Sequence, residues 1–163
     1  MVMPTNELAP AGRLRTIQQT MDFAGTTGTG NIDMFTIANG AIYCEMFIGR
    51  VTQALTATGA VSIFHEFTPE NLVAGLIALN TVLVVTTDPI DTIYTCTGAL
   101  VILAEEDNGL CLTPSFATNH WILGPGVMNL DVLDGGGGGD IDGIIEWTLV
   151  YQPLNALVTV VAM

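Results

Sequence analysis

The feature that most constrains the fold is a series of short segments in which residues alternate between two faces, separated by turns rich in glycine. In "TIQQTMDF", Ile17, Met21 and Phe23 share one face of an extended chain. In the segment "AIYCEMFIGRV", one face of an extended chain has Ile42, Cys44, Met46 and Ile48. The other face has Tyr43, Glu45, Phe47 and Gly49. Alternation with a period of two is the pattern of a half-buried β-strand. About nine or ten such strands, at short intervals, predict an all-β fold, either a β-sandwich or a jelly-roll-like barrel.

Three segments carry more specific predictions. Asn39–Gly40 lies between two strand candidates and indicates a two-residue hairpin turn. Residues 68–79, "TPENLVAGLIAL", predict one short helix, because Thr68 can cap it and Pro69 suits its first turn. We expect residues 105–109, "EEDNG", to form an exposed acidic turn.

The first residues of the chain differ from the rest. Residues 1–14 contain Pro4, Pro10 and Gly12 and show no periodicity, so we expect an extended N-terminal arm followed by a single β-sandwich domain over residues 15–163. Arg13 and Arg15 lie at the end of this arm, where they could contact an acidic neighbouring subunit. A disordered terminus is the alternative interpretation.

The composition limits the partners of the chain. Half of the residues are apolar and 12% are charged, there is no lysine, and the net charge is −13. Such a chain should repel nucleic acid and anionic membrane surfaces, which are bound through lysine and arginine. Its most apolar window, residues 72–85, is too short for a spanning helix, and we identify no signal peptide. High apolar content with little charge predicts burial against other copies, as a dimer or trimer.

The run "DGGGGGD" offers a weak metal site. Residues 135–140 match the start of a calcium-binding nonapeptide repeat, with Asp134, Asp140 and Asp142 as the candidate ligands. The site would normally require tandem copies, and this chain has one broken copy. The alternative, which we favour, is an acidic loop that feeds the next strand. A phosphate site is disfavoured because these carboxylates would repel phosphate.

We find no grouping of residues that indicates catalysis, so we predict that the chain is not an enzyme and needs no cofactor. His65 and His120 are isolated, and no serine has the setting of a nucleophile. Three groups of residues have structural interpretations. We expect Cys44, Cys96 and Cys111 to be core thiols, and Trp147, Leu149 and Tyr151 to be core side chains of the last long strand. The strand acids Glu45, Glu66 and Glu146 either face solvent, which we favour, or meet Arg50 across strands.

Two stretches resemble a group of small virion proteins of tailed bacteriophages. "GNIDMFTIANGAIYCEMFIGRVTQAL" (residues 30–55) resembles the early segment of that group, and "GIIEWTLVYQPLNALVTVVA" (residues 143–162) resembles its closing "Y-x-P-L" segment. "NTVLVVTTDPIDTIYTCTGAL" matches the middle more loosely. Gln152 stands where a basic residue is common in the group. The resemblance carries no catalytic residues.

This resemblance implies a β-rich structural protein, made in the host cytoplasm and located on the capsid exterior. We therefore expect a capsid decoration (cement) protein whose partners are the major capsid protein and copies of itself. The net charge agrees, because an acidic protein is poorly suited to face packaged DNA. A tail or head–tail component, or a carbohydrate- or calcium-binding β-sandwich module, is the alternative.

Overall fold

The computed structural model describes residues 12–23, 30–55, 58–67, 76–79, 83–97, 102–106, 121–134 and 142–163. Every regular element in these ranges is a β-strand. The strands are β1 (Arg15–Asp22), β2 (Gly30–Ala38), β3 (Ile42–Gln53), β4 (Thr58–Phe67), β5 (Leu76–Ala78), β6 (Leu83–Thr86), β7 (Ile93–Thr97), β8 (Ile102–Glu106), β9 (Trp121–Leu123), β10 (Gly126–Asp134), β11 (Ile144–Pro153) and β12 (Thr159–Ala162). The predicted all-β fold is confirmed, with more strands than the sequence indicated.

The strands form two antiparallel sheets of six strands each. Sheet I has the order β1-β11-β3-β7-β8, and β9 pairs with the same edge of β3 as β7. Sheet II has the order β12-β2-β10-β4-β5, and β6 shares an edge of β4 with β5. Each sheet is therefore built around one long strand, β3 or β4, whose outer edge is divided between two short strands.

The core lies between the two sheets. Phe35 on β2 meets Phe47 on β3 edge to face, with ring centroids 6.2 Å apart. Phe47 in turn stacks on Trp147 of β11, at 5.0 Å and an interplanar angle of 11°. These ring contacts join sheet II to sheet I, so the aromatic residues contribute to the packing of one sheet on the other.

Alternation predicts the buried faces of β1 and β11 correctly. Met21 and Phe23 are buried, while Thr16, Gln18 and Thr20 are exposed. On β11 the side chains of Ile145, Trp147, Leu149 and Tyr151 are buried. These two strands pair without interruption from Arg15–Tyr151 to Asp22–Ile144, so nothing changes their facing along the way.

The predicted facing of β3 is wrong beyond Cys44. Cys44 lies opposite Tyr151 and Met46 lies opposite Val150, so Glu45 is an extra residue at a bulge. A bulge moves all later side chains to the other face. Phe47, Gly49 and Val51 are consequently buried, whereas Met46 and Ile48, predicted to share a face with Cys44, are half-buried on the outer side.

The Asn39–Gly40 turn forms, but it does not make a hairpin. Both residues have positive φ, 62° and 142°, as the turn chemistry predicts. However, β2 belongs to sheet II and β3 to sheet I, so the turn carries the chain from one sheet to the other. A Cβ at Gly40 would collide with Asn155 and Val158, which close over the turn.

Two other local predictions need correction. In the segment predicted to be a helix, Leu76–Ala78 is a strand paired with β4; residues 68–75 lie outside the described residues. In the predicted acidic turn, Glu105 and Glu106 belong to β8 and pair with β7, and residues 107–109 are not described. In these described residues, pairing with β4 and with β7 overrides the local propensity.

Candidate assembly surface

Four of the seven large exposed apolar side chains among the described residues lie at one end of sheet I, where β1 and β3 begin and β11 ends. Here Leu14, Ile122, Leu154 and Leu157 are 57%, 65%, 50% and 63% exposed. These side chains lie at the ends of neighbouring strands of one sheet, and contiguous exposed apolar surface marks interaction sites. Together with Arg13 and Arg15 these residues define what we call the arginine end.

The arginines are held in place by the end of β11. The Gly12 N–H donates to the Pro153 carbonyl (3.1 Å), and the Gln152 side-chain amide donates to the Gly12 carbonyl (2.9 Å). Arg13 follows directly and is exposed, and Arg15 is the first residue of β1, opposite Tyr151. The stretch from Gly12 is thus docked on the sandwich, whereas residues 1–11 of the predicted arm lie outside the described residues.

The loop after β11 completes this end. The Leu154 N–H donates to the Ala41 carbonyl (3.0 Å), and the Asn155 side-chain amide donates to the Asn39 carbonyl (3.3 Å). The Asn155 side-chain oxygen then accepts from the Leu157 N–H (2.8 Å). These hydrogen bonds fix the loop while its leucine side chains remain exposed.

The opposite end of sheet I carries acids. Asp22 ends β1, Asp142 precedes β11, and Asp91 lies in the loop before β7. Glu106 and Asp134 end their strands on the same side of the molecule, and Ile90, which is 55% exposed, lies beside Asp91. We call this group the acidic end.

The third arginine is neutralised at the acidic end. Arg50 donates two hydrogen bonds to Asp91, from Nε (3.0 Å) and from Nη2 (2.6 Å), and the hydrogen bond and charge of Asp91 raise the pKa of Arg50. Glu146 lies directly opposite Arg50 across the strands but is not its hydrogen-bond partner. No sequence pattern points to Asp91, which a turn with positive φ (73°) at this residue brings to β3.

The candidate calcium ligands cannot be assembled from the described residues. Asp134 ends β10, the Asp142 carboxylate accepts from the Gly143 N–H (2.8 Å), and residues 135–141, with Asp140, are outside the description. In the described part of the chain no three His, Cys, Asp or Glu side chains form a group that could hold a metal.

Calcium titration separates the two interpretations of this loop. We expect no calcium-dependent rise in the melting temperature of the wild type, and a neutral or slightly stabilising effect of Asp140→Asn with Asp142→Asn, because acidic repulsion is relieved. Differential scanning calorimetry with and without calcium measures both. A saturable rise in the wild type that the double variant lacks would establish a calcium site.

Several polar side chains of the described residues are buried in the sandwich. The Tyr94 hydroxyl donates to the carboxylate of Asp88, and Asp88 is buried. His65 is also buried, with Nε2 3.1 Å from the Gly124 carbonyl. Cys44 is a buried thiol whose pKa burial raises to about 12, so it is a core residue with little thiolate at neutral pH.

His65 should make stability depend on pH. Burial lowers the pKa of His65 from its ordinary 6.5, more than the backbone hydrogen bonds of Gly124 and Val127 raise it. The unfolded chain therefore binds more protons just below pH 6.5, and stability should fall as the pH drops through that window. Urea unfolding at several pH values should show this fall, with a smaller slope in His65→Gln. Equal slopes in the two proteins would show that His65 does not contribute.

The aromatic residues of β11 belong to the interior. Trp147 and Leu149 have no exposed surface, and Tyr151 is 4% exposed. Because Trp147 and Tyr151 are buried, their rings cannot serve as a binding platform for a sugar ring. Of the three strand acids, Glu66 is exposed, whereas Glu45 and Glu146 are half-buried.

No helix in the described ranges is long and apolar enough to cross a membrane. Comparison with known proteins finds no matching family model, no matching curated protein and no matching solved structure.

Proposed function

We propose that the chain is a structural virion protein of a tailed phage, a capsid decoration protein that binds the outer surface of the shell in many copies and stabilises it. The observation that carries the proposal is the arginine end: exposed leucines and two of the three cations gather on one end of a protein with a net charge of −13. This arrangement suits a subunit that docks on other proteins.

The charge supports a position outside the shell. Packaged DNA is bound through lysine and arginine, and this chain has three arginines and no lysine. One of these arginines is already paired with Asp91. A place on the capsid exterior keeps the acids in contact with solvent and away from DNA.

The outer face of sheet I suits the contact with the shell. Its middle rows carry Met46, Ile48, Thr148 and Thr95, all half-buried and uncharged, and the exposed Gln18. This sheet face has few charges, and its Glu146 carboxylate accepts a hydrogen bond from the Gln18 side-chain amide (3.5 Å), so the cost of burying carboxylates against another protein is small. We propose that this face lies on the capsid and that the ends of the sheet face sideways.

Immunogold labelling of purified virions tests the assignment. Antibodies against the folded chain are applied to intact particles of the phage that encodes it. Label spread over the head supports a decoration protein. Label confined to the tail or to the head–tail junction would replace the decoration role with a tail role. Absence of the chain from purified particles, by label and by immunoblot, contradicts the proposal.

A further inference from the structure

We propose that the arginine end of one copy binds the acidic end of a second copy, so that neighbouring copies contact each other head to tail. The inference rests on the proposed function in one respect, namely that the chain works in many copies. It adds the identity of the partner that covers the exposed leucines.

The charges of the two ends are complementary. The arginine end has Arg13 and Arg15, and the acidic end has the exposed Asp22 and Asp91 and the half-buried Asp142. Arg50 offsets Asp91 at the acidic end. Because the chain is acidic elsewhere, two copies repel each other in most orientations, and contact between unlike ends places both arginines against acids.

The two ends lie too far apart for the charges of one end to pair with those of the other within one copy. Arg15 and Asp22 are the first and last residues of β1, so they lie about 23 Å apart at 3.3 Å per residue. Charges at the surface are screened beyond about 8 Å at physiological salt. The attraction therefore acts between copies in contact, and it should weaken as salt is added.

Apolar surface accompanies the charges. Leu14, Leu154 and Leu157 are at least half exposed at the arginine end, and Ile90 is 55% exposed at the acidic end. Burying these side chains against each other would contribute roughly 25 cal/mol for each Å² removed from water. Since the two surfaces differ, the contact is heterologous, and each copy can bind two neighbours.

Two variants and their mixture test this contact by sedimentation velocity. Variant A is Arg13→Glu with Arg15→Glu, and variant B is Asp22→Arg with Asp142→Arg. We expect wild type to associate, and each variant alone to sediment as a single chain of 17.2 kDa. An equal mixture should regain masses of two chains or more, because each variant keeps one native end and the altered ends are also complementary.

Controls separate the contact from folding and from net charge. Val161→Glu with Met163→Glu adds two acids at exposed side chains beside the middle of β2 in sheet II, away from both ends of sheet I, and should keep most of the association. Thermal melts report whether each variant folds. If variant A does not fold, Arg13→Gln with Arg15→Gln replaces it and should weaken association at least tenfold in Kd.

The remaining outcomes are distinct. Variants that associate alone as wild type does, or a mixture of folded variants that stays at the mass of one chain, would overturn the inference. A different result is that wild type sediments as a single chain at all concentrations, while immunogold no longer labels the heads of particles produced with variant A. In that case the arginine end binds the shell, and only the inference fails. If the mixture associates as expected but virions lack the chain, the proposed function fails and the head-to-tail contact stands.

Discussion

Replacing Trp147 with alanine is expected to lower the free energy of unfolding by about 3–5 kcal/mol, the usual cost of emptying a large aromatic site. Trp147 has no exposed surface and stacks between Phe47, at 5.0 Å, and Tyr94, at 6.3 Å. The cavity would lie in the middle of sheet I, where the paired strands on both sides limit collapse. The loss should be the largest of any single core truncation on β11.

Urea unfolding measures the effect, with Ile122→Ala as the control. Ile122 is 65% exposed, so its truncation should change the isolated chain by less than about 0.5 kcal/mol. A loss below about 1 kcal/mol for Trp147→Ala would show that the indole is not packed as described.

Gly49→Ala is expected to destabilise the fold by about 1–3 kcal/mol, because it overpacks the same site. Gly49 lies directly opposite Trp147, and an added Cβ would be 2.6 Å from the indole Cζ3 and 2.8 Å from Cε3. The absent side chain of Gly49 is therefore what allows the indole to lie across β3. Gly30→Ala is the matched control, since a Cβ there meets nothing within 4 Å.

A double-mutant cycle tests this reason directly. In the Trp147→Ala background the added methyl group has no indole to strike, so Gly49→Ala should cost little or should stabilise. Additive costs of the two substitutions would mean that Gly49 is required for some other reason.

The sequence predicts strand facing only where pairing is uninterrupted. The faces of β1 and β11 follow from alternation because their shared ladder has no irregularity. On β3 the side chains after Glu45 change faces. The change cannot be recognised from the sequence, because Met46, Phe47 and Ile48 are all apolar and either face could be the buried one. A bulge depends on the neighbouring strand, which local alternation does not contain.

Turn chemistry predicts conformation better than connectivity. Asn39 and Gly40 adopt the positive φ values that their residue types favour. Whether the flanking strands pair with each other depends on distant strands: β2 pairs with β10 and β12, while β3 pairs with β11 and β7. These partners are distant in sequence from residues 39–40, so a local hairpin signal cannot exclude them.

The candidate surface was only partly predictable. The scarcity of cations in this chain points to Arg13 and Arg15, although Arg15 belongs to β1 rather than to an arm. No sequence pattern marks the leucines of the closing loop as exposed, since that loop is held by hydrogen bonds to residues 39–41. Exposed apolar residues look like core residues in the sequence.

The most direct test of the central claim is the copy number of the chain in purified virions, measured by quantitative mass spectrometry against the major capsid protein. A decoration protein that covers the shell predicts a ratio of the same order as the major capsid protein, and loss of the chain should lower the temperature at which the shell opens. A ratio near zero, or a few copies in each particle with no effect on the shell, would contradict the account.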